Sequence, residues 1–98
     1  MAYNKSRQGN KTLSFIKKAT IVKKQLEGEL NAHKLGQGKD GTINQLEQFY
    51  QDIERMIESE SHSPIYLRVI VDTWDYNSEL GKQLLDLYEL YKDLDESK

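Results

Sequence analysis

GQGKDGTINQLEQFYQDIERMI, residues 36–57, decides the architecture. Gly36, Gly38 and Gly41 fall within six positions, and such a run cannot sustain a helix. Thr42 then stands directly before an apolar series, with Gln45 three residues on, which is the spacing of a capping box. Ile43, Leu46, Tyr50, Ile53 and Ile57 follow at steps of three and four, flanked by Phe49 and Met56. That period is the seam of a helix packed along a second helix.

The second helix is found upstream. Phe15, Ile16, Ala19, Val22, Leu26 and Leu30 recur at helical spacing from a start near Lys11 or Thr12, with Leu13 and Ile21 off the stripe. Gly28 weakens this helix by roughly 1 kcal/mol relative to alanine. A short glycine loop between two such helices predicts an antiparallel hairpin. Residues 1–10 are polar and basic without apolar periodicity, and are expected to be a flexible arm.

Downstream, Ser63-Pro64 is a helix start, since proline suits the first helical position. Ile65, Val69, Ile70 and Val71 favour a strand. A lone strand in a helical chain has no partner, so residues 65–74 are expected to form a short helix burying Leu67, Ile70, Val71 and Trp74. The alternative is a strand paired across a dimer. Asn77 or Ser78 caps a last helix from Glu79 to Leu94. Its stripe is Leu80, Leu84, Leu87, Tyr91 and Leu94, widened by Tyr88 and Leu90, with Leu85 off it. One buried face needs fewer apolar residues, so this helix is either central or meets a partner. The expected fold is all-α: a small three- or four-helix bundle built on the N-terminal antiparallel helical hairpin. It forms one domain over residues 11–94, followed by a charged tail at 95–98.

Composition agrees. The chain has 98 residues, of which 37% are hydrophobic and 31% charged. Leu, Ile, Val and Phe make up 24 of them, above the roughly one-fifth below which disorder is the default. There is no cysteine, hence no disulfide, thiolate metal site or cysteine nucleophile. Their lack in so small a domain points to a reducing cytoplasm. The opening MAYNKSRQGNKT lacks the apolar core of a secretory signal, and no run approaches the ~18–20 apolar residues of a membrane span. No membrane partner is expected.

Charge is uneven. Residues 1–42 carry +6 and residues 43–98 carry −8, and no acidic residue precedes Glu27. Opposite halves favour closure of the bundle on itself. A basic arm can also meet phosphate, and nucleic-acid binding through Lys5, Arg7, Lys11, Lys17 and Lys24 is the alternative function.

Gly36-x-Gly38-x-x-Gly41 spells a dinucleotide fingerprint, but that mechanism needs a strand before it and a parallel sheet. Gly38-Lys39 is followed by Asp40 where a phosphate loop has Ser or Thr. Residues 36–47 place Asp40 fifth, Gly41 sixth, Ile43 eighth and Glu47 twelfth, and this resembles the calcium loop of an EF-hand. The resemblance covers twelve residues and implies Asp40 and Glu47 as metal ligands. It departs from the pattern at places one and three, where Gly36 and Gly38 supply no carboxylate. A second loop has Asp75, Asn77, Glu79 and Asp86 at places one, three, five and twelve, with Leu80 where the glycine belongs. His33 and His62 have no metal-ligand spacing, and neither an enzyme nor a cofactor is expected.

Tyr66, Trp74, Tyr76, Tyr88 and Tyr91 gather among Asp72, Asp75, Asp86 and Glu89. Aromatics in an acidic setting suit protein recognition. The expected function is a non-enzymatic cytoplasmic regulator, adaptor or inhibitor. It would bind a protein partner or itself through Leu85, Tyr88, Tyr76 and Glu89.

Overall fold

The structure, a computed structural model, describes residues 2–59, 62–75 and 77–96, the side chains of 2–10, 95 and 96 excepted. It is all-α: α1 (Ala2–Lys34), α2 (Ile43–Glu58), α3 (Tyr66–Thr73) and α4 (Glu79–Glu96), with no strand among the described residues. Segment 65–74 is therefore a helix over residues 66–73, with Ile65 and Trp74 as its caps.

Helix α1 is the spine. At 1.5 Å per residue its 33 residues span about 50 Å, close to the 53 Å long axis of the molecule. It begins at Ala2, well before the start near Lys11 that the apolar pattern suggests. The pattern reports only where the helix is packed. Extending a nucleated helix adds one bond per residue, and residues 2–10 contain no proline to stop it. Its C-terminus is closed by the two hydrogen bonds of a Schellman motif, Gln37 N–H to the Ala32 carbonyl (2.7 Å) and Gly36 N–H to that of His33 (3.0 Å). Gly36 takes the left-handed position at φ 79°.

The hairpin is antiparallel. Tyr50 donates to Glu27 at 3.0 Å, and Lys23 pairs with Glu54 while lying 4.8 Å from the centre of the Tyr50 ring. Thr42 and Gln45 form the capping box in both directions. The buried arc of α2 differs from the expected one. Leu46, Phe49, Asp52, Ile53 and Met56 are inside, while Ile43 and Ile57 sit at the rim and Tyr50 is half-buried. α2 serves two neighbours, α1 and α3, so its buried face is rotated toward Phe49 and Met56.

α4 also runs antiparallel to α1. Lys18 donates to Gln83, and Phe15 meets Tyr91 with ring centres 5.3 Å apart. Its stripe Leu80, Leu84, Leu87, Tyr91 and Leu94 is buried as expected. Ser78 caps it, accepting from Gly81 N–H at 2.9 Å. α3 packs on α2 and α4. It buries Tyr66 and Ile70, with Val69 and Trp74 half-buried against the core. Val71, expected inside, is 70% exposed, and Leu67 is only half-buried. Tyr66 wins the interior place because its hydroxyl finds the Leu84 carbonyl at 2.9 Å, so its ring is buried without an orphaned donor.

Candidate functional site

The connection from α2 to α3 is built on one carboxylate. Asp52 is buried, yet three donors meet it. It accepts from His62 Nε2 at 2.9 Å, from Ile65 N–H at 2.8 Å and from Tyr66 N–H at 3.3 Å. The N-cap residue of α3, Ile65, has no side-chain acceptor of its own. Asp52 supplies it from another helix, where the N-terminal helix dipole also favours an anion. The Tyr91 hydroxyl closes the connection, donating to the Ser59 carbonyl and accepting from His62 N–H at 2.8 Å.

This clasp fixes how α3 lies over α4, and the two leave an open groove of about 720 Å³. Its α3 side is Ile65, Leu67, Arg68, Val71 and Asp72, its α4 side Tyr88, Tyr91 and Lys92, and its end His62-Ser63-Pro64. Val71 is a ridge, because it also borders a second hollow of about 180 Å³ with Ile70, Trp74, Ser78, Lys82 and Leu85. With Tyr66 turned inward, an eight-residue helix reading YLRVIVDT has more apolar side chains than one inner face can take. The remainder line the groove. Arg68 and Lys92 flank it against Asp72 alone, a cationic margin within the half of the chain that carries −8.

Leu85 and Tyr88 are half-buried against the core, and they line the smaller and the larger hollow respectively. Glu89 is exposed and lines neither. Tyr76 lies outside the described residues. Ile65, Leu67, Arg68 and Val71 were not expected to line a site. Their signal was the apolar surplus of α3.

The other candidate residues are placed apart. Lys17 and Lys24 project from the exposed side of α1. Lys11 is exposed and borders a small hollow with Ser14, Leu90 and Asp93, and the side chains of Lys5 and Arg7 lie outside the described residues. In the loop before α2, Glu29 of α1 accepts from Lys39 N–H (2.5 Å) and Asp40 N–H (2.7 Å), and His33 Nε2 donates to the Asp40 carbonyl at 2.8 Å. The loop is thus closed onto α1 by protein groups. Glu47 is exposed on α2, and Asp75 accepts from Asn77 N–H in an Asx-turn. Among the described residues no group of three or more His, Cys, Asp or Glu is placed to hold a metal ion.

Burial raises the Tyr66 hydroxyl well above its ordinary pKa, with Asp52 and then Tyr88 adding to the effect. That phenol stays a neutral donor to Leu84. Comparison of the chain with protein-family models, with curated proteins and with solved structures finds no match.

Proposed function

We propose that this chain is a non-enzymatic interaction protein that receives an amphipathic helix of a protein partner in the α3–α4 groove. The observation that carries the reading is Val71. Alone it would be ordinary, but at 70% exposed it lines the groove together with Ile65, itself 52% exposed, and with Tyr88, so the apolar residues share one site between two hollows. A helix laid in a groove presents apolar anchors at three- and four-residue spacing, and Ile65, Val71 and Tyr88 line this groove to meet them. Arg68 and Lys92 favour acidic residues beside those anchors.

The test is Val71→Asp beside Tyr88→Ala, with partners captured from host lysate on immobilised parent protein. Val71→Asp alters an exposed position, and is expected to keep its helical circular dichroism and its stability within about 0.5 kcal/mol. It is expected to lose the captured partner, and Tyr88→Ala to weaken it. Undiminished capture by both folded variants ends the reading. Leu85→Asp is a poorer test, because it sets a charge against the core, whereas Tyr88→Ala introduces none.

A further inference from the structure

Helix α1 has a second face. Leu13, Ile16, Lys17, Thr20, Ile21 and Lys24 recur at steps of three and four, opposite the buried Phe15, Ala19, Val22 and Leu26. All six are exposed, Leu13 at 54% and Ile21 at 51%. The lysines of α1 divide between the two sides. Lys18 and Lys23 are engaged by the bundle, through Gln83 and through Glu54 with Tyr50. Lys17 and Lys24 face outward and make no ion pair among the described residues. No acidic residue precedes Glu27, so nothing in this stretch of sequence offsets their charge.

Single exposed apolar residues are ordinary. Here three share one stripe with two cations, and the charge selects among possible occupants. A second copy pairing α1 on α1 sets lysines against lysines, because the first carboxylate on this face, Glu27, already accepts from Tyr50. Nucleic-acid phosphate engages the lysines but leaves Leu13, Ile16 and Ile21 exposed, and this stripe has no aromatic ring on which a base could stack. An anionic lipid surface engages both kinds of residue. Apolar tips enter the boundary between headgroups and acyl chains, while lysine stems lie along it and the ammonium groups reach phosphate.

We propose that the outer face of α1 docks lengthwise on an anionic lipid bilayer. The expectation of no membrane partner rested on the lack of a spanning segment. No described helix is long and apolar enough to cross a membrane. A helix lying on the surface needs no such segment.

The experiment is cosedimentation of the full chain with vesicles of equimolar phosphatidylglycerol and phosphatidylcholine, beside pure phosphatidylcholine. Binding is expected to the mixed vesicles only. Leu13→Ser with Ile21→Ser, and separately Lys17→Glu with Lys24→Glu, are each expected to lower the partition coefficient by about tenfold or more. Both variants change only outward positions, and unchanged circular dichroism confirms that they are folded. The proposal is overturned by no binding to the mixed vesicles, by equal binding to phosphatidylcholine, or by full binding of the Leu13/Ile21 variant. A DNA duplex that captures the parent and that variant equally, and more tightly than vesicles do, assigns the lysines to nucleic acid and also overturns it.

Discussion

Tyr66 shows how one hydroxyl can settle an orientation. Its ring is fully buried against Phe49, with centres 5.8 Å apart, and its proton is given to the Leu84 carbonyl. The folded state therefore holds that proton more tightly than the unfolded chain does. The stability this contributes is complete below the ordinary tyrosine pKa of about 10 and is lost as pH rises beyond it. Tyr66→Phe is expected to cost about 1 kcal/mol at neutral pH, for the lost hydrogen bond. It is also expected to show a shallower decline than the parent above pH ~10, read from urea midpoints across the alkaline range. Parallel declines in the two proteins would place the alkaline sensitivity elsewhere.

At the level of the helices, α3 depends on a residue outside itself. Asp52→Ala leaves the N–H groups of Ile65 and Tyr66 without their acceptor, and is expected to cost about 2–4 kcal/mol in urea denaturation. Asp52→Asn keeps a carbonyl oxygen and is expected to lose less. Hydrogen exchange is expected to show the α3 amides opening first in both variants. Local signals made much of this fold legible. The Thr42–Gln45 box, the Gly36 terminus, the Ser78 cap and the α4 stripe each rest on residues within a turn or two of one another. The clasp rests on separations of ten to thirty-two residues, and periodicity places a lone Asp in solvent. The same blindness explains α3. Leu67 and Val71 are as apolar as Ile70, and only the distant Leu84 carbonyl turns Tyr66 inward. The groove was therefore legible on its α4 side only through Tyr88, and hidden on its α3 side.

Across the whole molecule the two proposed surfaces belong to different helices. α1 packs on α2 and α4 with its outer face turned away from them, while the groove is opened by α3 on α4. Nothing in this layout couples their occupancy. Val71→Asp is expected to bind mixed vesicles as the parent does, and Leu13→Ser with Ile21→Ser to capture the same protein partner from lysate. Loss of both functions in either folded variant would mean that one surface serves both.

The Trp74 indole donates to Gln45 Oε1 at 3.1 Å, and the same oxygen accepts from Thr42 N–H at 3.2 Å. Its six-membered ring lies against Gly41, held at φ 65°, where a β-carbon would fall 2.6 Å from it. Phe49 meets it from beneath at 5.4 Å between centres. This is the only tryptophan in the chain. Its emission thus reports on the junction of the glycine loop, the start of α2 and the end of α3. The protein contains its own optical gauge of whether that corner is closed, readable in solution without any attached dye.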